Sequence, residues 1–174
     1  EQGVGMANYN VESKKNQPPT IDDESNHKLF IWYHPIYTNG IHPDARFPRD
    51  RYIKLVDKLN TPEYSDRFII KQPTEASRNE IIMAHDPYYV DNFLNQNLTE
   101  KEIKRIGLTP WTPQIIPRTL FLMGGSIAAL DHVMESGGIA ANMAGGTHHA
   151  HYDFGSGYCI FNDLAVCSLL ALSK

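Results

Sequence analysis

Ala144-Gly145-Gly146-Thr147-His148-His149-Ala150-His151-Tyr152-Asp153-Phe154-Gly155-Ser156-Gly157-Tyr158-Cys159-Ile160-Phe161-Asn162-Asp163 is the densest run of chemically able side chains in the sequence. Ile139-Ala140-Ala141-Asn142-Met143, just before it, is short and mostly apolar and reads as a buried strand. Leu164-Ala165-Val166-Cys167-Ser168-Leu169-Leu170-Ala171-Leu172, just after it, is apolar on nearly every side and reads as a buried helix. The polar run is then the loop at the carboxyl end of a strand, leading into a helix. That is where open α/β sheets bind their ligands.

Adjacent side chains on a regular strand point to opposite faces. His148 and His149 converge on one site only where the chain has left strand geometry, and Gly145 and Gly146 permit that. One neutral and one charged imidazole make an acid/base arrangement near neutral pH. Gly155 and Gly157 bend the return path, Asn162 is a fitting N-cap for the last helix, and Asp163 suits its first turn. By itself a His-His pair is more often a surface or structural pair than a site. His148, His149, His151 and Asp153 are also a possible metal patch, but close-spaced zinc ligands normally need a second pair from elsewhere.

Gly145-Gly146-Thr147-His148-His149-Ala150, followed by Gly155-Ser156-Gly157-Tyr158-Cys159-Ile160-Phe161-Asn162-Asp163, resembles the active-site motif of the histone deacetylase superfamily. The double His, the Gly-aromatic-Cys and the Asn-Asp stand in that family's order and spacing. The resemblance covers roughly residues 29–172 and is nearest the bacterial and class IV types. It implies a zinc-dependent enzyme with the arginase/deacetylase fold, three layers built on a mainly parallel sheet. It also implies roles: His149 takes a proton from water and passes it to the leaving amine, and His148 orients and stabilises the developing charge. Gly157 and Tyr158 line the acyl tunnel, with Tyr158 where Phe is commoner, and Cys159 lies close to the metal pocket.

The rest of the chain fits one domain. Its 174 residues suffice for a real core. A formal net charge of -4 does not suggest a nucleic-acid surface. Two cysteines are no disulfide framework, and no stretch is long and apolar enough to span a membrane. Residues 1–28, polar and with a Pro18-Pro19 pair, read as a disordered lead-in without a secretory signal or transit peptide. Residues 29–174 read as the N-terminal part of a deacetylase-like catalytic domain. The compartment expected is intracellular, cytoplasmic or nuclear.

Residues 29–33 and 68–71 are strand candidates. Tyr52, Leu55, Val56 and Leu59 have helical spacing, as do Leu120, Met123, Ile127, Leu130 and Met134 in a helix from about Ile115. Gly124-Gly125 inside that helix implies close packing, and Gly137-Gly138 ends it. Other helices are expected near residues 78–84, over 90–94, and between the capping pair Thr99/Glu102 and Gly107. His34 and His42 read as anchors of Pro-bounded loops. Trp111 reads as exposed, with a packed anchor and a channel rim as its alternatives. Strand and helix alternate, so the fold class expected is α/β, a mainly parallel sheet with helices on both faces, incomplete in this chain.

The resemblance places several further features. An arginine near residue 50 lies by an internal cavity, and Arg49 and Arg51 are the candidates, with a surface salt bridge as the ordinary alternative. His85 and Tyr89-Val90 match structural residues. Animal-type members carry an acid in the loop that grips the substrate backbone, and residues 108–117 contain none. The zinc ligands, the carboxylates paired with the histidines and the oxyanion-stabilising Tyr come further along than Lys174, so no metal ligand is assigned here. The reading favoured is a fragment of a zinc deacetylase acting on acetyl-lysine of histones or other proteins, or on a small acetylated amine. The alternatives are an inactive deacetylase-like protein that acts by binding, and a ureohydrolase-branch hydrolase, against which Thr147-His148-His149 argues.

Overall fold

The computed structural model describes residues 28–174, so the expected lead-in over 1–28 lies, apart from Lys28, outside the described residues. Three short strands, β1 (Leu29–Trp32), β2 (Phe68–Lys71) and β3 (Ala140–Asn142), form one parallel sheet in the order β2-β1-β3. Phe30 stands opposite Ile69 on one side and Ala140 on the other. Seven helices accompany them: α1 (Ile36–Asn39), α2 (Arg51–Leu59), α3 (Arg78–Ile81), α4 (Pro87–Leu94), α5 (Glu100–Ile106), α6 (Ile115–Ser136) and α7 (Asp163–Ser173). This is the α/β class with a parallel sheet that the alternation predicts.

The strand order has a functional consequence. The chain leaves β1 for a neighbour on one side and returns, after four helices, to β3 on the other. The gap between β1 and β3 is therefore a topological switch point, where loops at the strands' carboxyl ends diverge and leave room for a ligand. The loops that meet there are residues 33–50 and 143–162.

Helix α6 carries the core. Its Ile115, Leu122, Met123 and Ile127 are buried, and its His132 lies against Phe30 and Trp32, with ring centroids 4.2 and 5.7 Å apart. Phe30 and Trp32 alternate along β1 and so share the face that α6 covers. The two mid-helix glycines are where the backbone comes closest to its neighbours. A methyl group at Gly124 would overlap the carbonyl oxygen of Thr74, and one at Gly125 would lie 2.5 Å from Tyr37 Oη. Met134 departs from the expected buried face and is half exposed, because the last turn of α6 runs past the core.

Several boundaries follow from caps. Thr99 and Glu102 form the expected box on α5, closed by Gly107 at φ 85°. Ser77 and Glu80 form a second box that fixes the start of α3. Helix α4 begins at Pro87 rather than Val90, because Asp86 accepts from the Tyr89 N–H and Pro87 needs no intrahelical donor there. In α2, Tyr52 is buried but Leu55 is exposed, so the inward face is narrower than the spacing implies. Trp111 is a packed anchor rather than an exposed ring, half-buried and edge-on to Phe93 at 6.3 Å.

Two burial expectations are corrected. Strand β3 is half-buried, and Ile139 lies outside it, 78% exposed. Helix α7 buries only Asp163 and Val166, while Leu164, Leu169 and Leu172 are exposed. The helix packs on α6 and α3, and those three leucines stay open to solvent.

Candidate active site

The chain turns out of β3 through Gly145 (φ 122°) and Gly146 (φ 69°), backbone angles that side chains disfavour. The turn brings the two imidazoles together as expected: the His148 and His149 rings lie 4.2 Å apart at 38°. His148 Nδ1 lies 2.9 Å from the carbonyl oxygen of Gly146. That oxygen can only accept, so Nδ1 carries the hydrogen and a neutral His148 keeps Nε2 free as a base. His149 is exposed and faces a cavity of about 160 Å³.

Gly157, Tyr158 and Cys159 line the same cavity, so the three expected substrate-side residues gather beside His149. Gly157 (φ 53°) packs on the His149 ring, where a methyl group would come within 3.1 Å. Tyr158 also lies in the left-handed region (φ 67°), a conformation that costs about 1–3 kcal/mol in a residue with a side chain. It is held there by donating its N–H to Ile106 O at 2.7 Å and by edge-to-face packing on Phe47 at 5.4 Å. The C-terminal end of α5 thus fixes the aromatic rim. Cys159 Sγ donates to Gly157 O at 3.4 Å, and burial pushes the thiol's pKa up, so the sulfur is a neutral wall atom.

The far wall is cationic. Of the two arginine candidates, Arg51 reaches the cavity, its guanidinium 4.6 Å from the Phe47 ring and 3.0 Å from Tyr52 Oη. Arg49 instead ties its own loop together, donating to the carbonyls of Thr38 and Ile41, with Asp50 3.7 Å away. The sequence reading missed Arg118, which is buried in α6 and donates to Tyr37 O at 2.9 Å and Tyr52 Oη at 3.2 Å. Desolvation lowers its pKa from the ordinary value. An arginine placed among the apolar residues of a core helix was the available signal.

Other histidines are structural. His34 Nδ1 accepts from Ile36 N and its ring stacks on Phe121, while His42 Nδ1 accepts from Asp44 N. His85, fully buried, ties the middle of the site loop to its end: Asn162 N donates to its Nε2 at 2.8 Å, and its Nδ1 lies 3.1 Å from Tyr152 O. His151 stacks on Phe154 at 4.3 Å. The patch of His148, His149, His151 and Asp153 is therefore not assembled, and among the described residues no group of three His, Cys, Asp or Glu could hold a metal.

Asn162 caps α7 as expected, accepting from Ala165 N at 3.0 Å. Asp163 does more than favour a helix start. It is buried and accepts from Ser126 Oγ, Gly146 N, Thr147 N and Thr147 Oγ1. Its partners come from 37, 17 and 16 residues away, so local sequence carried no sign of them.

A turned-out histidine pair thus stands at the switch point of a parallel α/β sheet. The histone deacetylase domain matches residues 45–174, and the chain belongs to that family. Among its relatives is an uncharacterized protein of Picosynechococcus sp., 38% identical over 143 residues, covering 79% of this chain and 45% of that protein. The acetoin utilization protein AcuC of Bacillus subtilis is 32% identical over 146 residues, covering 79% and 38%. Histone deacetylase 2 of Arabidopsis thaliana is 26% identical over 133 residues, covering 73% and 33%. The chain thus spans less than half the length of these curated relatives. No helix among the described residues is long and apolar enough to cross a membrane.

Proposed function

We propose that these residues are the acid/base half of a deacetylase site, the N-terminal part of a catalytic domain whose whole hydrolyses an N-acetyl amide. The observation that carries this reading is the His148–His149 contact beside a cavity walled by Gly157, Tyr158 and Cys159. His149 is the proton carrier. It takes a proton from the attacking water as the oxygen bonds to the acyl carbon, then gives it to the amine nitrogen as the C–N bond breaks. His148, held by Gly146 O, stays beside it and shares the charge that develops. Tyr158 and the backbone of Gly157 hold the acyl chain, and the Tyr158 hydroxyl gives an otherwise apolar wall one polar point.

Family membership implies dependence on a metal, and zinc is the ion proposed. A catalytic zinc needs about three protein ligands in fixed geometry. The described residues do not supply such a set, so its ligands are assigned outside them. The substrate is acetyl-lysine of a protein or a small acetylated amine. The acid-free loop over 108–117 favours smaller substrates than a long gripped peptide. The compartment proposed is intracellular.

The test is acetate release. The full-length protein is expected to release acetate from an acetyl-lysine peptide or an acetylated diamine, and the isolated 174 residues to release none with or without added zinc. No release from either substrate class by the full-length protein contradicts the proposal, as does zinc-dependent turnover by the isolated chain.

A further inference from the structure

Ser156-Gly157-Tyr158-Cys159 is a tight turn closed on itself. Ser156 N donates to Cys159 O at 3.0 Å, and Cys159 N donates to Ser156 O at 2.8 Å. Both central residues have positive φ, 53° at Gly157 and 67° at Tyr158. Turns with two such residues are dominated by Gly, Asn and Asp, because larger side chains crowd the backbone there. A tyrosine in the second central place works against the turn's own preference. Residues held this way persist only where their surroundings over-determine them, and they cluster at ligand sites.

The end of α5 supplies the hold. Gly107 closes that helix at φ 85° with its N–H on Ile103 O, which leaves Ile106 O without an intrahelical donor. Tyr158 N–H, unpaired within its own turn, donates to that oxygen at 2.7 Å. The tyrosine ring lies over Gly107: a methyl group there would sit 3.5 Å from Cε1 and 3.7 Å from Cδ1. Phe47 meets the same ring edge-on at 5.4 Å. Ile106 and Leu108, on either side of Gly107, are fully buried, so this hold is anchored in the core. At its other end the turn rests on the proton carrier, with Ser156 Oγ donating to His149 O at 2.7 Å.

We propose that Gly107 is a positioning residue for the substrate pocket: its left-handed backbone and missing side chain let α5 end against Tyr158, and so fix where the aromatic wall of the acyl cavity stands. This rests on the proposed role of Tyr158 in holding the acyl chain. Amide hydrogen exchange at Tyr158, read by NMR, does not depend on that role. Alanine at position 107 keeps ordinary contact with the ring and is disfavoured only by φ. Valine, branched at Cβ, is excluded from the left-handed region and reshapes the helix end. In the full-length protein, Gly107→Val is expected to raise KM for an acetyl-lysine peptide about tenfold with kcat little changed, the low end of what a misfitted apolar wall costs. Its Tyr158 amide is expected to exchange about tenfold faster, since its acceptor is withdrawn. Gly107→Ala is expected to change both in the same direction and by less.

A folded Gly107→Val protein with the KM or the Tyr158 exchange rate of the unsubstituted protein overturns the inference, and a lowered melting temperature alone makes Gly107 a helix cap and nothing more. Should that variant fail to fold, Phe47→Leu removes the opposite support and leaves α5 intact. Faster Tyr158 exchange with a higher KM is then expected, and no change in either overturns the inference. If the unsubstituted protein releases no acetate, the proposed function fails, while the exchange rates still decide whether Gly107 holds Tyr158.

Discussion

His85 joins the site loop to itself with both ring nitrogens, and this makes the loop sensitive to acid. Asn162 N–H occupies Nε2, so protonation there removes an acceptor and breaks the bond. Burial, the largest cause, lowers the pKa of His85 below 6.5, against smaller raising effects from the backbone of Tyr152 and His151. The unfolded chain therefore binds a proton at a higher pH than the folded one, and stability rises with pH between the folded value and about 6.5. Melting temperature is expected to fall as pH drops below that point, and His85→Gln to flatten the slope. A slope unchanged by the substitution would assign the effect to other groups. The histidine pair was legible at this scale because two glycines before it and two after it announce a turned loop, and its spacing matches a known family. Arg118 and Asp163 were not legible, since their roles depend on partners far along the chain.

Elements were legible where local chemistry sets them. The Thr99/Glu102 pair and the Gly107 stop act within a few residues, so α5 emerges from sequence with its observed span, as does the strand β2. Burial was less legible, because it depends on what lies against an element. The apolar α7 and the strand β3 both read as buried and are not. The glycines of α6 belong to the legible side: a glycine pair costs helix stability unless packing needs it. Gly124→Ala forces a methyl group onto the Thr74 carbonyl, a backbone atom that cannot rotate away. Overpacking of this kind is expected to cost about 1–3 kcal/mol or more in a denaturant titration of the full-length protein. A loss below about 0.5 kcal/mol, the usual range of surface changes, would contradict that contact.

At the scale of the molecule, one side is left apolar. Leu164, Leu169 and Leu172 are exposed along α7, Ile139 stands beside β3, and β3 pairs only with β1 among the described strands. An open strand edge beside exposed apolar side chains templates association. The isolated 174 residues are expected to self-associate in size exclusion and to melt without a sharp transition, and Leu169→Glu to weaken the association. A monomer with a cooperative melt would mark the chain as a complete domain. The parallel α/β class was legible from alternation. The switch point was not, because strand order is a property of pairing between distant segments.

The central claim is that His149 moves a proton and does not hold the metal. It is tested most directly by His149→Ala in the full-length protein, with acetate release and bound zinc measured on the same sample. The account predicts that turnover falls about a hundredfold to ten-thousandfold while zinc stays bound in equal amount. Loss of zinc with activity restored on adding metal, or turnover unchanged, would contradict it.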